Sequence, residues 1–212
     1  MQEDAYLKCV HPKCGLVYPI SSTNVQCENG HVLDVKYKNT PSTKLKDTFY
    51  ERRNSKGSIF NESGIWRFRE LLNFCQIDTE SLEECSKFLV SLDGAEGRQS
   101  KPYHMSKAAE FLGIEKEGLW LQPEGYNPSG SFKDNGMVTA VTHAKLVGAK
   151  KIVCASTGNT SASAGMFAAN EGIDCDVYIP AGQIAPGKLS QAYQFGAQIV
   201  QVEGNFDDAL KQ

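Results

Sequence analysis

The sequence lacks a long apolar run, a strong excess of one charge and, in its first residues, the pattern of a secretory signal. No window approaches the ~18 uninterrupted apolar residues that read as a membrane-spanning helix. A net charge of −3 gives no sign of a nucleic-acid partner. The acidic start, Met-Gln-Glu-Asp, has no basic segment followed by an apolar one. These absences predict a cytoplasmic globular protein that binds neither membranes nor nucleic acid.

An even set of paired cysteines is also missing. The seven cysteines are scattered along the chain, so a disulfide framework is not indicated. Cys154 and Cys175 lie in apolar, strand-like runs and are predicted to be inert core thiols.

Residues 1–38 have the pattern of a separate, zinc-ribbon-like leader. Cys9 and Cys14 flank one turn, Cys27 and His31 flank a Glu-Asn-Gly turn, and the segments between them are short and hairpin-like. Three thiolates and one imidazole can close a tetrahedral zinc site. Four residues separate the first two cysteines where two are usual, and His11 is a competing ligand. Two interpretations therefore stay open: a zinc site, or a reduced knuckle without metal.

The rest of the chain predicts an α/β protein. Residues 39–87 are predicted to be a linker followed by a helical segment, with an amphipathic helix starting near residues 63–72 whose two aromatic residues pack in the core. Residues 88–121 predict an approach strand, a helix over 106–112 and a short buried strand over 118–121.

From residue 149 onward, strand and helix patterns alternate. Strands are predicted at 151–155, 174–179 and 197–202, and helices at 159–171, at 187–195 and from 205. Alternation of this length predicts a parallel sheet with right-handed crossovers. We therefore expect a small α/β subdomain over about 131–212 within a larger core that starts near residue 88.

The stretch NPSGSFKD (127–134) places Lys133 where a Pro/Gly/Ser turn meets a helix predicted over 136–147. Ser129 and Ser131 can cap that helix. A lysine whose amine is neutral is a nucleophile for aldehydes, which is the chemistry of a Schiff base.

A second chemical element, STGNTSA (156–162), falls between a predicted strand and a predicted helix. Ligands bind at such carboxyl ends of strands in open α/β sheets. Backbone amides, four hydroxyls and the Asn159 side chain would converge there on an anion such as a carboxylate.

The segment EGYNPSGSFKD (124–134) resembles the cofactor-lysine segment of pyridoxal-phosphate enzymes of fold type II, the tryptophan synthase β-like family, and is most similar to that of the threonine synthases. The segment GIWRFRELL (64–72) and the cysteine-bearing leader resemble the same enzymes and are absent from dehydratases and cysteine synthases. One departure lies at residues 96–103, where the family's Thr-Pro-Leu element is missing.

The resemblance implies a lyase of threonine biosynthesis that converts O-phospho-L-homoserine and water to L-threonine and phosphate. It implies that Lys133 holds pyridoxal 5'-phosphate and shuttles protons, and that Asn159 contacts the cofactor's ring hydroxyl. It also implies that the loop of Ser156, Thr157, Gly158, Asn159 and Thr160 holds the substrate carboxylate.

The resemblance covers only the N-terminal half of the family's protein. The loop that cradles the cofactor phosphate lies in the other half, and nothing after residue 205 resembles it. We therefore expect an incomplete fold that forms a homodimer, if at all, when full length. The alternatives are a related serine/threonine dehydratase or cysteine synthase, and a non-catalytic fragment or binding module.

Overall fold

The computed structural model describes residues 5–38, 44–54, 61, 64–72, 103–182 and 186–211. The approach strand expected between residues 88 and 102 lies outside the described residues, as does most of the segment 39–87. The domain boundaries set out above therefore stay predictions.

The N-terminal residues form a three-stranded antiparallel sheet of β1 (Ala5–Cys9), β2 (Val17–Pro19) and β3 (Leu33–Tyr37) in the order β2-β1-β3. Gly15 and Gly30 take φ of 67° and 74° in the turns that follow Cys14 and precede His31. Glycine adopts this left-handed conformation without strain. The hairpin prediction is confirmed, and both turns bring cysteines to one end of the sheet.

The segment from Leu45 to Leu71 contains helix α1 (Leu45–Asn54) and a 3₁₀ helix (Trp66–Leu71). Arg52 of α1 forms an ion pair with Glu70 and donates a 2.7 Å hydrogen bond to Arg67 O. The predicted helix is present here as a 3₁₀ helix rather than an α-helix, and Phe68, with φ −103° and ψ 24°, interrupts the regular helical pattern. The hydrogen bonds therefore span three residues, as in a 3₁₀ helix.

A two-stranded antiparallel pair of β4 (Tyr103–His104) and β5 (Trp120–Leu121) encloses helix α2 (Ser106–Phe111). The helix was predicted correctly, but the prediction of a buried strand over 118–121 was wrong. Trp120 is 58 % exposed and Leu121 50 % exposed. The physical reason is that, among the described residues, β5 pairs only with the short β4, whereas buried strands of α/β sheets are covered on both faces.

The remaining elements form an α/β unit with a parallel sheet in the order β6-β7-β8. In chain order its elements are α3 (Lys133–Leu146), β6 (Lys151–Ala155), α4 (Asn159–Glu171), β7 (Asp174–Pro180), α5 (Pro186–Gln194), β8 (Gln198–Val202) and α6 (Phe206–Lys211). The predicted parallel strands are confirmed. Among the described residues, no helix combines the length and the apolar composition that crossing a membrane requires.

Two apolar clusters hold this unit together. In the first, Trp66 of the 3₁₀ helix packs with Val138 and Val141 of α3 and with Met166 and Phe167 of α4. The core prediction is thus confirmed for Trp66, which is 1 % exposed, but was wrong for Phe68, which is 37 % exposed. The second cluster joins α4, β7 and α5 through small and branched side chains. The segment 64–72 therefore braces both helices that flank β6.

The two cysteines of the parallel sheet have the environment predicted for inert thiols. Cys175 on β7 is buried in the second cluster, and Cys154 packs against that cluster. Burial raises the pKa of Cys175 to about 11 and also raises the pKa of Cys154. Both side chains are thiols rather than thiolates near neutral pH.

Candidate active site

The N-termini of α3 and α4 lie at the same edge of the parallel sheet. Helix α3 leads into β6 and α4 leads out of it, so both helices run opposite to the strand. Their first turns therefore lie at the carboxyl end of β6, where open α/β sheets bind ligands. A 2.5 Å hydrogen bond from Ser163 Oγ to Asp134 Oδ1 joins the two helices at this edge.

Asp134 is the centre of the hydrogen bonding around this edge. Its carboxylate is 3 % exposed and accepts hydrogen bonds from Ser129 N at 2.7 Å and from Ser129 Oγ at 2.5 Å, in addition to the bond from Ser163. A buried carboxylate with three donors is well satisfied. Ser129 was predicted to cap α3, but its hydroxyl donates to the Asp134 side chain instead. Through Asp134, the turn before α3 is hydrogen-bonded to both α3 and α4.

Lys133 is the first residue of α3, so the helix begins three residues earlier than predicted. Ser131 Oγ accepts a 3.0 Å hydrogen bond from Lys133 N, which satisfies one of the free amides of the first turn, as predicted for Ser131. Lys133 Nζ lies 4.9 Å from the centroid of the Phe132 ring. The amine makes no hydrogen bond or ion pair with any residue that the structure describes.

The turn before Lys133 is braced from outside the helix by Glu124. Glu124 Oε2 accepts hydrogen bonds from Asn127 Nδ2 at 2.7 Å and from Asn135 Nδ2 at 3.0 Å. Asn127 Nδ2 also donates to Ser131 O at 3.0 Å. Both ends of the segment that carries Lys133 are therefore bound to one carboxylate.

The sequence analysis missed Asp134, Glu124 and Ser163 as positioning residues. An acidic residue in the first turn of a helix is favoured by the helix dipole, and this signal could have drawn attention to Asp134. Nothing in the local sequence marks Ser163, because its partner comes from a different helix.

The loop between β6 and α4 leaves most of its predicted ligand groups available. The side chains of Thr157, Asn159 and Thr160 make no hydrogen bond with a described residue. Ser156 Oγ accepts a 3.3 Å hydrogen bond from Gly158 N and so shapes the loop.

Ser161 is the exception in this loop. The prediction that its hydroxyl faces an anion was wrong, since the residue is fully buried and donates a 2.7 Å hydrogen bond to Gly158 O. The sequence could not distinguish a hydroxyl that points out of the first helical turn from one that turns back into it.

A second cluster of chemical groups lies at the turn end of the N-terminal sheet. The ligand atoms of Cys9, Cys14, Cys27 and His31 all lie within 4.8 Å of one another, as predicted for these four residues. The Sγ atoms of Cys9 and Cys27 are 3.7 Å apart, and those of Cys14 and Cys27 are 3.9 Å apart. His31 Nδ1 lies 3.6 Å from Cys27 Sγ.

The thiols of this cluster differ in their electrostatic environment. Hydrogen bonds from Asn29 and His31 lower the pKa of Cys14 to about 6. Burial raises the pKa of Cys9 to about 11. The competing ligand, His11, stacks on His31 with 4.3 Å between ring centroids and 10° between planes.

The comparisons with known proteins decide the family. A family model described as "Pyridoxal-phosphate dependent enzyme" matches residues 98–212, which is more than half of the chain. The chain belongs to this family. Pyridoxal 5'-phosphate is therefore its cofactor, and the predicted α/β fold of type II is confirmed.

Similar members of the family are threonine synthases. That of Methanocaldococcus jannaschii is 37 % identical over 203 residues, which are 96 % of this chain and 44 % of that protein. That of Bacillus sp. (strain ULM1) is 58 % identical over 100 residues, 47 % of this chain and 28 % of that protein. That of Mycobacterium leprae is 59 % identical over 93 residues, 44 % of this chain and 26 % of that protein. The resemblance to threonine synthases is confirmed, and the chain spans less than half the length of these relatives.

The donor groups at the sheet edge fit the cofactor of a pyridoxal-phosphate dependent enzyme. A cofactor aldehyde requires a primary amine without a competing partner, and the Lys133 amine has none among the residues that the structure describes. A ring hydroxyl requires a donor such as an amide, and the side chain of Asn159 at the start of α4 is exposed and free among the described residues.

Proposed function

We propose that this chain is the lysine-bearing part of a threonine synthase, which converts O-phospho-L-homoserine and water to L-threonine and phosphate. The observation that carries the proposal is the hydrogen bond between Asp134 and Ser163. It joins the residue after Lys133 to the helix that begins at Asn159, so the reactive amine and the anion-binding loop share one edge of the sheet.

The loop of Ser156, Thr157, Gly158, Asn159 and Thr160 is proposed to bind the substrate's α-carboxylate. The hydroxyls of Thr157 and Thr160 have no hydrogen-bond partner in the described part of the chain, and the N-terminus of α4 favours a negative charge. Asn159 is proposed to hold the ring hydroxyl of the cofactor. Ser156 is proposed to hold the loop in its conformation, because its Oγ accepts a hydrogen bond from Gly158 N.

Lys133 is proposed to hold the cofactor covalently and then to move protons. When bound, pyridoxal phosphate acts as an electron sink that stabilises negative charge next to the substrate nitrogen. With the cofactor supplying this stabilisation, the Lys133 amine would take the proton from the substrate's Cα. The same amine is placed to take the proton from Cβ as phosphate leaves from Cγ and to return protons to Cγ and, after water has added its hydroxyl at Cβ, to Cα.

The segment 64–72 supports threonine synthase over a dehydratase or a cysteine synthase. Its resemblance to threonine synthases is specific, and Trp66 packs on both helices that carry the proposed site. The relative that aligns with 96 % of the chain, leader included, is also named a threonine synthase.

The experiment assays threonine formation and phosphate release in a protein of the relatives' length that carries this chain. Lys133→Ala and Lys133→Arg should abolish both products, since alanine has no amine and a guanidinium stays protonated. Lys107→Ala removes an exposed lysine from the short helix α2 and serves as the matched control with unchanged activity. Borohydride treatment of the cofactor-loaded protein should label Lys133 in a peptide map.

Several outcomes would contradict the proposal. A borohydride label on a different lysine, or turnover in Lys133→Ala, would overturn the role of Lys133. Release of a keto acid, or formation of cysteine when sulfide is supplied, would instead assign a dehydratase or a cysteine synthase. Absence of cofactor binding in the longer protein would assign a non-catalytic binding module.

The 212-residue chain by itself is expected to capture the cofactor weakly at most, because the resemblance places the phosphate-binding loop elsewhere in the protein. The cytoplasmic location and the homodimer of the longer protein stay predictions. Size-exclusion chromatography with light scattering tests the homodimer.

A further inference from the structure

The N-terminal sheet contains a cluster of three cysteines and a histidine that the proposed catalytic function does not use. We propose that Cys9, Cys14, Cys27 and His31 bind one zinc ion in a closed, structural site that joins the two turns of this sheet. Such a site is independent of the proposed threonine synthase activity.

The distances match the edges of a zinc tetrahedron. Bonds of ~2.3 Å to sulfur and ~2.0 Å to nitrogen at tetrahedral angles separate two sulfurs by about 3.8 Å and a sulfur from a nitrogen by about 3.6 Å. The sulfur of Cys27 lies 3.7 Å from that of Cys9, 3.9 Å from that of Cys14 and 3.6 Å from His31 Nδ1. All the ligand atoms lie within 4.8 Å of one another, so any longer edge closes by about 1 Å at most.

Nearby N–H groups already point at the sulfur atoms. His11 N donates to Cys9 Sγ at 3.4 Å, and Asn29 Nδ2 donates to Cys14 Sγ at 3.3 Å. Metal ligands are commonly oriented by such contacts, which also offset the negative charge of zinc-bound thiolates. The turns between the ligands thus supply second contacts as well as the ligands themselves.

The sheet has almost no apolar core without this cluster. Over residues 5–38, the buried residues are Ala5, Cys9 and Cys27, while Val17, Val32 and other large apolar side chains are exposed. A unit of this size cannot bury enough apolar surface to be stable alone and requires a metal, a disulfide or a partner. The cysteine cluster occupies the place of the core, which favours a structural ion.

His31, and not His11, is the imidazole ligand in this proposal. His31 Nδ1 lies 3.6 Å from Cys27 Sγ, which is the separation expected when both atoms bind one zinc ion. His11 Nδ1 instead accepts a hydrogen bond from Lys13 N at 3.4 Å. The ring of His11 stacks on that of His31 and restricts its orientation. With four protein ligands the ion has no open position, which is typical of structural rather than catalytic zinc.

The experiment measures zinc in the 212-residue chain, purified without a polyhistidine tag, under reducing conditions and dialysed against metal-free buffer. We expect one zinc per chain by elemental analysis. Cys27→Ser and His31→Ala should lose the ion, and His11→Ala should keep it. Cys154→Ala, which removes a thiol outside the cluster, is the matched control and should also keep one zinc.

A second measurement requires no variant and so does not depend on folding of the mutants. Cobalt(II) added to the chelator-treated wild-type chain should produce the strong visible bands of a tetrahedral ion together with thiolate-to-cobalt charge transfer. Zinc should then abolish both signals at one equivalent.

Three results would overturn the proposal. The first is a wild-type chain that binds no stoichiometric zinc and shows no cobalt–thiolate bands. The second is a disulfide within the cluster that survives in reducing buffer. The third is loss of zinc in His11→Ala with retention in His31→Ala.

Discussion

Ser163 Oγ donates a 2.5 Å hydrogen bond to Asp134 Oδ1, and this contact joins the helix that starts at Lys133 to the helix that starts at Asn159. The two residues are 29 positions apart in the chain. Because the buried Asp134 directly follows Lys133, the position of the proposed catalytic lysine depends on the hydrogen bonds that its neighbour makes. We therefore treat Asp134 and Ser163 as positioning residues.

Substitution of Asp134 should destabilise the protein strongly. Asp134→Ala leaves buried donors on Ser129 and Ser163 without an acceptor, and we expect the free energy of unfolding to fall by about 3 kcal/mol. Ser163→Ala removes one hydrogen bond to the carboxylate and should cost about 1.5 kcal/mol. Urea denaturation followed by circular dichroism measures both. Asp207, an exposed aspartate in the first turn of α6, is the matched control, and Asp207→Ala should change stability by less than about 1 kcal/mol.

The two tryptophans should behave oppositely on substitution. Trp66 is 1 % exposed in the first apolar cluster, so Trp66→Ala should cost about 3–5 kcal/mol of unfolding free energy. Trp120 is 58 % exposed, so Trp120→Ala should cost less than about 1 kcal/mol. Fluorescence distinguishes the two, since blue-shifted emission should persist in Trp120→Ala and vanish in Trp66→Ala. Equal losses of stability would show that the cluster around Trp66 does not hold the helices together.

Gly165 should not tolerate a side chain. A Cβ at this position would lie 3.3 Å from Ala197 Cβ and 3.6 Å from Ala192 O, so α4 approaches its neighbours closely here. Gly165→Val should therefore lower the unfolding free energy by about 1–3 kcal/mol. In contrast, a Cβ at Gly136 of α3 meets no atom within 4 Å, and Gly136→Ala should stabilise the helix by about 0.5–1 kcal/mol. Thermal melts of both variants check the opposite signs.

Stability should fall with rising pH in a way that depends on Cys175. Burial raises the pKa of its thiol from 9.0 to about 11 in the folded chain. Between these values the unfolded state loses the proton and the folded state keeps it, so the unfolding free energy decreases as pH rises. The contribution is fully present below pH 9.0 and is lost as the pH approaches about 11. Urea titrations across this range, with reducing agent, should give a shallower decline for Cys175→Ala than for the wild type. A parallel decline in the two proteins would contradict this assignment.

The order of the helices and strands from Lys133 onward could be predicted from the sequence. Apolar strand runs such as 151–155 alternate with helical patterns, and this alternation has one common topological solution, a parallel sheet with crossover helices. That topology alone brings the carboxyl end of β6 and the first turn of α3 to one edge. The assignment of Lys133 and Asn159 to one site came from the family resemblance, and this topology supports it.

The cysteine cluster could be predicted for a different reason. Turn residues such as Gly15 and Gly30 mark where the chain reverses, and chain reversal over short hairpins leaves few alternative placements for Cys9, Cys14, Cys27 and His31. Local geometry was sufficient here because the ligands lie within or next to the turns.

Side-chain burial and hydrogen-bond partners that depend on contacts between distant segments were determined only by the tertiary structure. The exposure of Phe68 and Trp120 and the pairing of Asp134 with Ser163 each depend on which element lies opposite the residue. The same holds for Ser129 and Ser161, whose hydroxyls had local capping or anion-binding roles available but bond to Asp134 and to Gly158 O. A hydroxyl or an indole has the same local preferences wherever it lies, because its burial and hydrogen-bond partner are properties of the packed neighbours and not of its own stretch of chain.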